Sequence, residues 1–208
     1  MQITWLGHAS FKIKANKQVI YLDPYSGEYD EKADIILISH GHYDHMSINI
    51  INKIRSDDTI ILSTKEVVAE VNATTMSLGD KKRIKGIEIE AVAAYNIGRG
   101  FHHKDSSLGF IIDFNNKKIY FAGDTDLIPE IGNIKADIVL LPIGGIYTMG
   151  VRDAVEAVKI IKPRIAIPMH YGSGVVGTKE DADLFKEMVE SKTDTAVYIL
   201  QNGETITV

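Results

Sequence analysis

Cysteine is absent from all 208 residues, so disulfide frameworks, thiolate nucleophiles, zinc ribbons and iron-sulfur clusters are excluded together. Any bound metal must be held by histidine and carboxylate. Proline is scarce, at 5 residues, and no Pro/Gly/Ser-rich linker divides the chain, so residues 1–208 are expected to form a single domain. Long apolar runs are missing too: none approaches the roughly 20 residues that cross a bilayer. The start, Met1 to His8, has neither a basic segment nor a long apolar stretch, so no membrane contact and a cytoplasmic location are expected. Nor is there an excess of positive charge. A net charge of -5 and an isoelectric point near 5.8 make a broad phosphate-neutralising surface, and with it nucleic acid as a partner, a poor expectation. What the chain has is apolar residues, 45% of the total, enough to bury a core and to exclude disorder.

Those apolar residues fall into short β-branched runs between turn residues: Ile3–Leu6, Phe11–Lys14, Val19–Leu22 and Ile35–Ile38, then Ile87–Ala94, Phe110–Phe114, Ile119–Ala122, Ile138–Leu141, Ile165–Met169 and Val197–Leu200. The spacing predicts strands. The continuously apolar Ile35–Ile38 suits a strand buried on both faces. Two segments change period: Val151–Ile161 aligns Ala154, Val155, Val158 and Ile161, and Lys179–Lys192 aligns Leu184, Phe185, Met188 and Val189. Both predict helices laid on a sheet. The chain also echoes itself. Asn16 to Asp23 is matched by Asn116 to Asp124, and Ala33 to Ile38 by Ala136 to Leu141, roughly 100 residues later each time. Two related halves are expected, each with a sheet that needs both faces covered.

The chemistry concentrates after Ile38, where His40, His42, Asp44 and His45 occupy six residues. Residues two apart in an extended segment point the same way, so His40 and His42 can hold one metal. A turn toward a helix beginning near Ser47 redirects Asp44 and His45. Four polar side chains at the mouth of a buried strand cost desolvation unless something binds them, and this cluster reads as a metal site. Asp124 and His170 each follow a further apolar strand. Three strands therefore end in metal-ligand residue types, at the edge where α/β sheets bind ligands.

The pattern His40-Gly41-His42-Tyr43-Asp44-His45 resembles the signature of the metallo-β-lactamase superfamily. Trp5 to Ser10 is similar to the opening strand of its lactonase-like and phospholipase-like branch, Ala122-Gly123-Asp124-Thr125 to its bridging-aspartate motif, and Ile167 to Gly172 to its last histidine motif. Within the superfamily the chain resembles the small metal-dependent hydrolases related to ascorbate-6-phosphate lactonases. The resemblance implies an α/β fold of the four-layer αβ/βα type with two pseudo-repeated halves. It also implies two divalent cations, one on His40, His42 and His102 and the other on Asp44, His45 and His170, with Asp124 bridging and a water or hydroxide as nucleophile. Zinc fits this set, and manganese, iron and nickel are compatible with it. The chain departs from the family at Asn96, where many members carry histidine. His102 and His103 are the replacements, and a Phe-His-x-Lys pattern favours His102.

Asp44 is expected to orient the nucleophile as well as bind metal, and it or a metal-bound water to return the proton to the leaving group; Asp44, Asp124 and His8 are the catalytic candidates. His8, at the end of the first strand, is either a substrate contact or a packed histidine. Asp23 precedes Pro24 and is expected to be a turn or a brace rather than a ligand. Lys104, Gly144, Gly145, Tyr147, Thr148 and Tyr171 are loop residues available to shape a pocket. Together these imply a hydrolase for a small ester, lactone or phosphodiester, with a small-molecule substrate as partner and homo-oligomers common among relatives. The competing readings are di-iron redox chemistry on the same scaffold and metal binding without catalysis.

Overall fold

The computed structural model describes residues 1–208. Its strands are β1 (Gln2–Gly7), β2 (Ser10–Ala15), β3 (Gln18–Leu22), β4 (Ile35–Ile38), β5 (Ile60–Ser63), β6 (Thr74–Thr75), β7 (Lys81–Ile84), β8 (Ile87–Ala93), β9 (Leu108–Phe114), β10 (Lys117–Phe121), β11 (Ile138–Pro142), β12 (Ile165–Met169), β13 (Ala196–Val197) and β14 (Thr205–Thr207). The helices are α1 (Ile48–Ile54), α2 (Lys65–Val71), α3 (Val151–Ile161) and α4 (Lys179–Glu190), with a 3₁₀ turn over Pro129–Asn133. The chain divides into two compact units, Met1–Ser77 with Leu200–Val208, and Leu78–Ile199. Each is an α/β unit built on one mixed seven-stranded sheet.

The two units repeat one topology. In the first, the order is β14-β1-β2-β3-β4-β5-β6, antiparallel up to β3 and parallel beyond it. In the second, the order β7-β8-β9-β10-β11-β12-β13 is antiparallel up to β10 and parallel beyond it. The hairpin β2–β3 turns on Asn16 and Lys17, and β9–β10 on Asn115 and Asn116, all four at positive φ. That backbone matches the strand twist in two-residue hairpin loops, and asparagine tolerates it well. The turns therefore align Asn16 with Asn115 rather than Asn116, which corrects the echo in the sequence by one residue. Crossovers follow in parallel: α1 links β4 to β5 and α2 links β5 to β6, as α3 links β11 to β12 and α4 links β12 to β13.

One aspartate clamps each half in the same way. Asp34 accepts the Val19 N–H on its carboxylate at 2.9 Å while its own N–H donates to the Val19 carbonyl. Asp137 does the same with Lys118, at 2.8 Å. In the first unit Val19, Tyr21, Ile36, Ile38 and Ile61 join Ile51 and Ile54 of α1 and Val67 and Val71 of α2 in one core. Ile20, Leu22, Ile35, Leu37 and Leu62, of opposite strand parity, are buried as well, as the unbroken apolar run requires. In the second unit α3 buries Ala154, Val155, Ala157, Val158 and Ile161. Helix α4 buries Ala182, Phe185 and Val189. Leu184, expected on that stripe, is 45% exposed; the buried face runs through Ala182, Phe185 and Val189 instead. No helix is long and apolar enough to cross a membrane.

Candidate metal centre

In the first unit the ends of β1, β3 and β4 carry His8, Asp23 and the run beginning at His40. Asp23 is fully buried and ringed by donors: the Ser39 N–H at 2.7 Å, the Ser39 hydroxyl at 2.6 Å and His45 Nδ1 at 2.7 Å. Burial pushes its carboxyl upward, and the hydrogen bonds from His45 and Ser39 oppose that shift. Because the Ser39 proton is given to Asp23, Ser39 Oγ can only accept from His40 Nδ1, 2.9 Å away. This network assigns the tautomers of both histidines: Nδ1 carries the proton and Nε2 the lone pair. The imidazoles of His40 and His45 lie 4.3 Å apart between centroids, and His40 Nε2 faces His42 Nδ1 at 3.0 Å. Asp44 receives His8 Nε2 at 3.2 Å. Burial pushes the Asp44 carboxyl up, but the His8 hydrogen bond and the electrostatic pull of the neighbouring His45 and His8 imidazoles outweigh it, bringing the group down to about 2.

The second unit gathers His102, Asp124 and His170. Asn96 is buried after β8 and points Nδ2 at Asp126 Oδ1 and the Tyr147 carbonyl, 3.0 and 2.9 Å away. Its Oδ1 is therefore the acceptor, taking both the backbone N–H of His102 at 3.1 Å and the ring Nδ1 at 2.9 Å. Again the proton is fixed on Nδ1 and the lone pair on Nε2. His102 Nε2 and His170 Nε2 converge on one oxygen, Asp124 Oδ2, at 3.3 and 3.1 Å. All three side chains are almost fully buried. Gly144 is obligatory beside them, since a Cβ there would stand 2.8 Å from the His170 carbonyl and 2.9 Å from its Nδ1.

Backbone strain accompanies the site. His8 (φ 53), Asp23 (φ 40) and His170 (φ 60) all occupy the left-handed region without being glycine. Each such residue costs about 1–3 kcal/mol and persists where surroundings over-determine it. For His8 the brace is the single tryptophan, whose indole N–H donates to the His8 carbonyl at 2.9 Å.

The donor set fits a divalent cation. His40, His45 and His102 each have Nδ1 held by an oxygen, which turns the Nε2 lone pair the other way, the orientation that hydrogen-bonded partners impose on metal-ligating imidazoles. His102 Nε2 facing Asp124 Oδ2 sets one lone pair against another, a contact that is repulsive without an added proton or a cation to share. Asp23, His40 and His45 offer ligand atoms within 4.8 Å of one another, yet Asp23 spends its oxygens on Nδ1 and Ser39, as a brace does.

Of the residues expected from sequence, His8, His40, His42, Asp44 and His45 lie together in the first unit, and His102, Asp124 and His170 in the second. His103 is exposed while His102 is buried against Asp124. Lys104 is exposed and paired with Glu130, and Thr148 and Tyr171 are buried. Ser39, Asn96 and Asp126 as braces were not legible as such. Position offered the only signal, since Ser39 adjoins His40 and Asp126 lies two residues beyond Asp124.

A profile of the "Beta-lactamase superfamily domain" family matches residues 2–170. A "UPF0173 metal-dependent hydrolase" of Methanosarcina mazei is 36% identical over 99% of this chain and 98% of its own. The solved metallo hydrolase Igni18 of Ignicoccus hospitalis is 26% identical with a TM-score of 0.85, covering 99% of this chain and 97% of its own. The fold alone is shared with CmlA, a diiron β-hydroxylase from Streptomyces venezuelae, at 17% identity and a TM-score of 0.79, over 100% of this chain and 54% of that one.

Proposed function

The chain belongs to the metallo-β-lactamase superfamily and, within it, to a family of metal-dependent hydrolases, and from that premise we propose that it cleaves a small ester, lactone or phosphodiester at a centre of two divalent cations, zinc being the first candidate. The observation that carries this reading is the convergence of His102 and His170 Nε2 on a single oxygen of Asp124, with the far nitrogen of His102 tied to Asn96.

The ligand assignment follows the resemblance: His40, His42, Asp44 and His45 from the run after β4, and His102, Asp124 and His170 from the later strand ends, are the residues that would hold the cations. When bound, the cations supply Lewis acidity and hydroxide near neutral pH. The chain's own groups do the rest. Ser39, Asp23 and Asn96 hold three imidazoles in the tautomer that presents Nε2. Asp44, brought down to about 2, stays an acceptor at neutral pH and orients the attacking water by accepting a hydrogen bond from it. His8, bonded to Asp44 Oδ2, is the group proposed to pass a proton to the leaving group.

The test is hydrolysis of bis(p-nitrophenyl) phosphate and of ester and lactone panels by the wild type, His42→Ala and Asp124→Ala, with metal content measured on each. Both variants should lose metal and most activity. Hydrolysis undiminished in either one contradicts the assignment.

A further inference from the structure

The loop that delivers His102 carries, on its outer side, side chains that a soluble surface ordinarily hides. Ile97 is 55% exposed and Phe101, next to His102, is 47% exposed. A second loop of the same unit adds Ile146, 60% exposed, and Tyr147, whose ring meets Phe101 edge-on with centroids 4.7 Å apart. These are not floppy tips. Arg99 donates to the carbonyls of Gly145 and Ile146 and pairs with Asp126. The other Asp126 oxygen takes the Ile97 N–H at 2.8 Å. Asn96 holds His102 with its oxygen and the Tyr147 carbonyl with its nitrogen. A single buried amide thus fixes a metal-ligand histidine and the apolar wall in one geometry. A clustered, rigidly braced apolar surface beside polar chemistry marks a binding site rather than ordinary surface scatter.

Charge narrows what it binds. Arg99 is committed to Asp126 and two carbonyls, and Lys104 to Glu130 at 2.6 Å. Neither cation on this loop is left to neutralise a phosphoryl or carboxylate substituent. The ligand run of the first unit has the same character on its own account: Tyr43, between His42 and Asp44, is 72% exposed and meets Tyr25 edge-on.

We infer that the wall of Ile97, Phe101, Ile146 and Tyr147 recognises an uncharged apolar acyl or aryl group, so that the substrate is a neutral ester or lactone bearing such a group rather than a phosphodiester or a sugar phosphate. This inference rests on the hydrolytic reading above and selects among the substrate classes it allows. The chemistry balances with water alone: the acyl carbon–oxygen bond breaks, water supplies the new carbon–oxygen bond, and one proton passes to the departing alkoxide.

The test uses the metal-loaded protein with p-nitrophenyl acetate, butyrate and octanoate below their aggregation limits, beside bis(p-nitrophenyl) phosphate. Variants Phe101→Ser and Ile146→Ser alter exposed side chains that support no core. In the wild type, kcat/KM should rise by at least ~10-fold from acetate to octanoate, within the range by which apolar pockets discriminate added methylenes. Each variant should lose most of that octanoate-to-acetate ratio while retaining its metal. A flat chain-length profile, a ratio that survives both substitutions, or a preference for the phosphodiester overturns the inference and leaves the hydrolytic reading standing. Fully metal-loaded protein that hydrolyses none of these compounds overturns both. A dimer that dissociates on Ile146→Asp, with the octanoate preference absent, assigns the wall to self-association and contradicts the substrate role.

Discussion

Asn96 stands where the family resemblance leads one to expect a histidine, and the structure gives it a different task. Its side-chain oxygen holds His102 and its nitrogen is anchored on Asp126 and Tyr147. Asn96→Ala should therefore leave the fold intact but weaken metal affinity by about 10–100-fold, the usual cost of losing such a brace, as read by competition with a chromophoric chelator. Unchanged affinity would mean that His102 needs no orientation. His8→Gln keeps a hydrogen-bonding side chain beside Asp44 and removes the titratable ring. It should retain metal, lower kcat by about 100-fold and alter the pH-rate profile for a leaving group that needs protonation. A profile of wild-type shape would assign His8 to packing. At this scale the ligand types were legible in the sequence because strand ends and the spacing of the histidine run constrain them. The braces were not: Ser39, Asn96 and Asp126 are ordinary residues whose meaning comes from which donor each has already spent.

The elements repeat more faithfully than their sequences do. Asp34 and Asp137 each accept a strand N–H and return their own to the same residue, and both open the apolar run that the two halves share. Asp34→Ala and Asp137→Ala should each cost about 1–3 kcal/mol, since each strips the acceptor from a partly buried backbone N–H. Denaturant unfolding checks this, and a cost confined to one variant would show that the clamp is structural in only one half. The strand runs and α3 were readable from period alone. The echo was readable too, but one residue out of register, because the Asn115-Asn116 turn offers two asparagines and the sequence does not say which leads. Strand β6 has two residues and β7 is mostly Lys81, Lys82 and Arg83, so no alternating pattern announces them, while the strand expected over Val197–Leu200 is confined to Ala196–Val197 as β13. Their pairing to neighbouring strands defines them. The α4 stripe slipped for a similar reason: alanine at 182 packs well but hardly signals a face.

At the scale of the whole molecule, each unit holds buried acidic and imidazole groups that a folded chain keeps only with compensation. A cation that binds the native state alone supplies it, adding about 4 kcal/mol of stability when present at 1,000 times its dissociation constant. Chelation should accordingly lower the unfolding midpoint, and Asp124→Ala should abolish most of that response. The competing readings separate on metal identity and turnover: a di-iron redox protein would carry iron, and a binding module would carry metal without turnover. The most direct measurement is elemental analysis of protein purified without chelators, for the wild type and for Asp124→Ala. The account predicts two divalent cations per chain in the wild type and their substantial loss in the variant. A wild-type chain that holds no metal near stoichiometric level, or an Asp124→Ala chain that holds it undiminished, would contradict it.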